Sequence, residues 1–165
     1  MIDGVDGHSR PVELGGLNVD EAIYDYIENS IKERETVGTP SAGQDGHIYE
    51  SSVFAKQYLL MKEIKKSKVA LSYKGGSYFP KGVPLSIYRE VILQKNLTLP
   101  EFQSATLEVI KKISRYIIDE LKRPINDKVK KVILSGGLVE TYSLFNYIDR
   151  EASKYCPSKQ ILSVT

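Results

Sequence analysis

The sequence has 165 residues, about the length of one domain, and its 41% hydrophobic and 27% charged residues are typical of a globular chain with a buried core. A net charge of +2 is too small to indicate nucleic acid or a membrane surface as a partner. The single cysteine, Cys156, excludes an internal disulfide framework and indicates an inert thiol in a reducing compartment. Because no apolar run is long enough to span a membrane, we expect a cytoplasmic protein.

The first seven residues, MIDGVDG, look like the end of a strand followed by Asp-Gly turns, which predicts that the chain is a fragment of a longer protein. The Asp-Gly pairs favour a hairpin turn over a phosphate-binding loop. His8 and His47 each follow Asp-Gly, but no further ligands stand at coordinating spacing. The sequence therefore predicts no metal site.

The first predicted helix begins at Asn18, which has the spacing of a capping box with Glu21. Its apolar positions recur at helical spacing, and they are Val19, Ile23, Ile27 and Ile31. Residues 36–47 lack periodicity and are rich in Gly, Pro, Ser and Thr, so they are predicted to form a loop.

The second helix is predicted from about Ser51 to about Lys68. Its apolar stripe consists of Phe54, Tyr58, Met61 and Ile64. The lysines of residues 62–68 indicate a solvated helix face near the negative end of the helix dipole. Residues 69–73 then alternate as a strand does, residues 74–77 predict a hairpin turn, and residues 84–94 are predicted to form one strand.

The third helix is the best marked. Thr98 and Glu101 predict a second capping box with Pro100 in the first turn, and Pro124 ends the helix. Its apolar stripe consists of Phe102, Val109, Ile113, Ile117 and Leu121.

A strand, glycine turn and helix unit is predicted near the C-terminus. Residues 132–134 have the length of a fully buried strand and lead into Ser135-Gly136-Gly137. The following helix has the apolar stripe Leu144, Phe145, Ile148 and Ala152. Such a unit can place backbone N–H groups beside a ligand, or the glycines can serve only a tight turn.

Four segments carry a family resemblance. They are LGGLNVD (residues 14–20), IKKSKVALS (64–72), LTLPEF (97–102) and VILSGG (132–137). In order and spacing they resemble the second half of the nucleotide-binding domain of DnaK-type heat-shock chaperones, within the actin-like ATPase superfamily. The corresponding family patterns are LGG-x-x-x-D, a helix ending in E-x-A-K-x-x-L-S, the helix start I-T-R-x-x-F-E, and the turn L-V-G-G-S.

The resemblance implies a ribonuclease H-like, actin-like α/β fold. The chain would be the second lobe, a mixed sheet with flanking helices plus an inserted helical and antiparallel-sheet subdomain. The base subdomain would comprise about residues 1–17 and 95–165, and the upper subdomain about residues 18–94. The partners implied are the missing first lobe and protein clients or co-chaperones.

The resemblance also implies a nucleotide-binding site for ATP or ADP. Lys68, Ser72, Gly136 and Gly137 match positions that line adenosine in the family, and Gly15 and Gly16 would approach the phosphates. A lysine can donate to ribose hydroxyls or meet a phosphate, and glycine lets the backbone approach closely. Magnesium would bind only with the missing lobe, because the D-x-G-x-G-T phosphate loop is absent from this sequence. We therefore expect no catalytic residue here and no ATP hydrolysis by this chain alone.

Two nucleotide-site positions differ from the family. Lys65 stands where the family has glutamate, and Glu140 replaces an arginine that would stack on adenine. These differences motivate one alternative, an interaction or scaffold module that has kept the fold and lost the nucleotide site. An actin-like filament protein is a third possibility.

Overall fold

A computed structural model describes residues 15–36, 52–72, 79–89, 92–135, 139 and 142–164. Within these ranges the chain is a mixed α/β protein with four α-helices and two small two-stranded sheets, one antiparallel and one parallel. The α/β class is therefore confirmed, and the assignment to an actin-like second lobe stays a prediction. None of the described helices combines the length and the apolar character that crossing a bilayer requires.

The elements follow one another in a simple order. The helices are α1 (Gly16–Thr36), α2 (Val53–Ser72), α3 (Leu99–Leu121) and α4 (Tyr142–Tyr155), with a 3₁₀ turn at Pro124–Asn126. The strands are β1 (Val83–Tyr88), β2 (Ile92–Leu97), β3 (Lys131–Ser135) and β4 (Gln160–Val164). One core lies among α1, α2, the β1–β2 hairpin and the start of α3, and a second lies among the rest of α3, α4, β3 and β4.

Helix α1 buries the predicted stripe. Val19, Ile23 and Ile27 are completely buried, and Ile31 nearly so. The predicted start was wrong, because the helix begins at Gly16 and Asn18 lies inside its first turn. The Asn18 side chain reaches back and accepts a hydrogen bond from the Gly15 N–H at 2.8 Å, which is the role of the third helical residue in a capping box.

Helix α2 is longer than predicted, and the face that it buries is not the predicted one. It continues through Ser72, so the strand predicted for residues 69–73 was wrong; a short alternating apolar run does not distinguish strand from helix. Its buried face consists of Leu60, Ile64, Ser67 and Leu71. Phe54 and Tyr58, which belong to the predicted apolar stripe, are 83% and 69% exposed.

The single strand predicted for residues 84–94 is two strands. Strands β1 and β2 pair antiparallel, from Val83 opposite Leu97 to Tyr88 opposite Ile92. Gly82 precedes β1 with φ +83°, and a Cβ there would lie 2.7 Å from the Leu97 carbonyl oxygen. This position therefore requires glycine for the fold itself.

Helix α3 has the predicted capping box. The Thr98 hydroxyl oxygen accepts from the Glu101 N–H, and the Glu101 carboxylate accepts from the Thr98 N–H at 2.9 Å. The helix buries a wider face than the predicted stripe, because Thr106, Ile110, Ser114 and Ile118 are buried as well. Val109 and Ile117 are partly buried at the margin of that face.

The C-terminal unit has a parallel sheet. Strand β4, which the sequence analysis did not predict, pairs parallel with β3 and places Val132 beside Ile161. Leu144, Ile148 and Ala152 of α4 are buried as predicted. Strand β3 was predicted to be fully buried, but Ile133 is 64% exposed, because α3 and α4 cover only the face that carries Val132 and Leu134.

The Glu101 carboxylate ties α3 to two neighbouring elements. Lys95 of β2 donates to it at 2.9 Å, and the Tyr26 hydroxyl of α1 donates at 3.3 Å. Burial alone would raise the pKa of Glu101, but the hydrogen bonds from Thr98 and Lys95 outweigh burial and lower that pKa to about 2.

Acid should remove the stabilisation that Glu101 supplies. Its folded pKa lies below the ordinary 4.5, so this stabilisation is complete above about pH 4.5 and is lost as the pH falls towards 2. We expect a loss of roughly 1–2 kcal/mol, because solvent screens a carboxylate that is 26% exposed. Urea unfolding at about pH 6 and about pH 3 measures it.

Glu101→Gln should be less stable than wild type at the higher pH and should lose less stability on acidification. Glu108→Gln is the matched control on the exposed face of α3, and it should keep most of the wild-type pH dependence. An unchanged pH dependence in Glu101→Gln would contradict the assignment.

Candidate functional site

The structure brings together two of the four motif segments. The last turns of α2 lie beside the first turn of α1, so that Lys68 meets Gly16 and Asp20 across about fifty residues of sequence. The Lys68 Nζ lies 2.6 Å from Asp20 Oδ1 and donates a hydrogen bond to the Gly16 carbonyl oxygen at 3.1 Å. The contact with Asp20 is an ion pair by distance, without the alignment of a hydrogen bond.

This ion pair is mostly removed from water. The Asp20 side chain is 3% exposed and that of Lys68 is 18% exposed. Asp20 stands between Val19 and Ile23 on the buried stripe of α1, where an unpaired carboxylate would carry a large desolvation penalty. Lys68 therefore neutralises a charge that the α1 sequence places against the core.

Asp20 was missing from the predicted site residues. The sequence pattern could have identified it. An acidic residue on an otherwise apolar helix stripe is buried and needs a countercharge. Which of the lysines in residues 62–68 supplies the charge depends on the rotation of α2, and the predicted α2 stripe had that rotation wrong.

The two glycines of the turn differ in what the fold requires of them. At Gly16 a Cβ would lie 3.4 Å from Lys68 Nζ. At Gly15, no heavy atom of the described residues lies within 4 Å of where a Cβ would stand, and the backbone is not left-handed. In contrast to Gly82, Gly15 is required neither by conformation nor by close contact within the described part of the chain.

The start of α1 is suited to an anion. The first N–H groups of a helix have no partner within the helix and form the positive end of its dipole. Helix α1 has 21 residues and no acidic side chain in its first turn. Since Asp20 offsets the charge of Lys68, the attraction for an anion comes chiefly from the helix N-terminus, an arrangement that binds phosphates in other proteins.

The other predicted site residues divide into two groups. Lys65 lies on the exposed face of α2, and Ser72 is the last residue of that helix, four positions after Lys68. Gly136, Gly137 and Glu140 lie outside the described residues, so their roles stay predictions. Among the described residues there is no cluster of three or more His, Cys, Asp or Glu side chains that could hold a metal ion.

No protein-family model matches the sequence, and no curated protein shows significant similarity to it.

Removal of the Lys68 charge should destabilise the protein strongly. Lys68→Met leaves the Asp20 carboxylate buried without a countercharge, so we expect a loss of about 3 kcal/mol in the free energy of unfolding. The double variant Asp20→Asn with Lys68→Met should recover most of that loss. Chemical denaturation of the single and double variants measures the coupling between the two side chains.

Lys66→Met is the matched control, because Lys66 forms an ion pair with Glu63 and its side chain is 64% exposed. It should leave the free energy of unfolding nearly unchanged. A Lys68→Met variant as stable as this control would show that the ion pair contributes nothing.

Proposed function

We propose that this chain is a nucleotide-binding lobe of a chaperone-like, actin-fold ATPase, and that the N-terminus of α1 meets the phosphates of ATP or ADP. The supporting observation is the convergence of Gly15, Gly16 and Lys68. The resemblance assigned these residues to one site although they belong to two segments far apart in the sequence.

The contacts of Lys68 favour different roles for Lys68 and for the glycine turn. Its ammonium group holds the Gly16 carbonyl, which fixes the turn that presents the first N–H groups of α1. At Gly15, none of the described residues lies close enough to a Cβ position to block the approach to that turn. In this proposal Lys68 contributes by positioning the backbone as well as by any contact with ribose, and Ser72 and Gly136-Gly137 complete the adenosine side.

Hydrolysis would require groups beyond this chain. Phosphoryl transfer in this superfamily depends on positioning, charge stabilisation and magnesium. We assign no magnesium ligand to the described residues. The lobe would bind and orient the nucleotide, and the missing first lobe would supply the catalytic loop and the metal site.

A second candidate is an interaction module that has kept the fold and lost the nucleotide. The observation that favours it is that Asp20 offsets the charge of Lys68, which leaves no net positive charge at this contact for a nucleotide. Lys65 in place of the family's glutamate supports the same alternative.

Substitution at Gly15 tests the proposal without disturbing the ion pair. Asp and Asn are both favoured at helix N-caps, so Gly15→Asp and Gly15→Asn should fold as well as wild type. Gly15→Asp places a carboxylate where the phosphates would lie and should weaken ATP and ADP binding by at least about tenfold. Gly15→Asn adds nearly the same bulk without charge and should weaken binding less.

Isothermal titration calorimetry of the full protein as its gene encodes it, with magnesium present, gives the affinities. Thermal unfolding of the same samples checks that the variants fold. Absence of binding to wild type at about millimolar nucleotide would favour the interaction module. Equal nucleotide affinity in wild type and Gly15→Asp would show that the phosphates do not bind at the N-terminus of α1.

A further inference from the structure

Helix α2 carries a second apolar stripe beside its core face, and Met61 at the margin of this stripe packs partly against the core. Phe54, Tyr58 and Met61 recur at the three- and four-residue steps of a helix face. Phe54 is 83% exposed, Tyr58 is 69% exposed and Met61 is half-buried. Large aromatic side chains aligned on an exposed helix face are typical of interaction surfaces.

A groove runs beside this stripe. It has a volume of about 230 Å³, opens to solvent, and is lined by side chains of α1 and α2, namely Glu21, Tyr24, Asp25, Gln57 and Met61. Met61 thus belongs to both the stripe and the groove. A side chain inserted there would contact an aromatic ring and a thioether, a combination that suits an apolar anchor.

The charges on this face form two opposite sets. Glu21 and Asp25 are exposed on the α1 side of the groove, and Lys62 and Lys65 are exposed on α2 just beyond the apolar stripe. Within the part of the chain that the structure describes, none of the four forms an ion pair. In contrast, Glu28, Glu63 and Glu101 are each paired with a basic side chain.

We propose that this face, defined by the Phe54–Tyr58–Met61 stripe and the adjoining acidic groove, binds a second copy of the same chain. The groove calls for a helix with an apolar stripe bordered by basic residues, and α2 itself is such a helix. One surface therefore carries both complementary halves, which is the property of an interface between two identical subunits related by a two-fold axis.

Each copy contributes the same contacts in this dimer. The exposed Phe54 of one copy enters the groove of the other, and Lys62 of one copy faces Glu21 and Asp25 of the other. The aromatic side chains provide most of the affinity and the charge pairs fix the orientation. The proposal does not rest on nucleotide binding, since the residues that define it are separate from Gly15, Asp20 and Lys68.

Sedimentation equilibrium of the 165-residue chain tests the proposal over a range from about 1 µM to about 1 mM. We expect a rise from the monomer mass of 18.6 kDa to twice that value. Phe54→Ser with Tyr58→Ser should raise the dimer dissociation constant by at least about tenfold. Both side chains are exposed in the single chain, so the thermal unfolding of the dilute monomer should not change.

Ile133→Ser is the matched control, because Ile133 is 64% exposed on a different element and should leave the dimer intact. Glu21→Lys should weaken the dimer. Adding Lys62→Glu exchanges the two charges and should recover part of that loss, because Asp25 still opposes the new carboxylate. A wild-type chain that stays monomeric, a dimer that survives Phe54→Ser with Tyr58→Ser, or one that only Ile133→Ser disrupts would each overturn the proposal.

Discussion

The buried ion pair between Lys68 and Asp20 is the contact on which the arrangement of the candidate site depends. It joins the end of α2 to the beginning of α1, and its lysine also holds the Gly16 carbonyl at 3.1 Å. Because a carboxylate beside Val19 and Ile23 is unfavourable without a countercharge, α2 has one preferred rotation against α1.

Two further polar contacts, a hydrogen bond and an ion pair, hold the rest of α1. Its Tyr26 hydroxyl donates to Glu101 of α3, and its Glu28 pairs with Arg89 at 2.6 Å, just after β1. Polar contacts to α2, to α3 and to the residue that follows β1 thus flank the buried isoleucine stripe. A helix fixed in this way can present its first N–H groups in one orientation, which is the preorganisation that binding a phosphate requires.

Sequence periodicity predicted those elements whose apolar residues fall on one helix face. Helix α4 belongs to this group. The Thr98–Glu101 cap of α3 was also predicted correctly, because it depends only on residues that are close in the sequence. Helix α2 was predicted poorly, since it has two apolar stripes and periodicity cannot tell which one meets the core. The contact between Lys68 and Gly16 depends on that choice, so periodicity could not predict it.

The errors in predicted burial have a common physical origin. A sequence pattern records every apolar surface that a residue can offer, whereas burial within one chain records only the surfaces that its own elements cover. Strand β3 shows this for a sheet, because parallel sheets are normally covered on both faces and Ile133 lies on the uncovered one. Tyr58 shows it for a helix, but there the neighbouring groove, and charges that form no ion pair among the described residues, also indicate the chemistry of what would cover it. An exposed apolar residue on a predicted stripe therefore indicates more about a binding partner when charged groups surround it, because those groups specify the partner's charge.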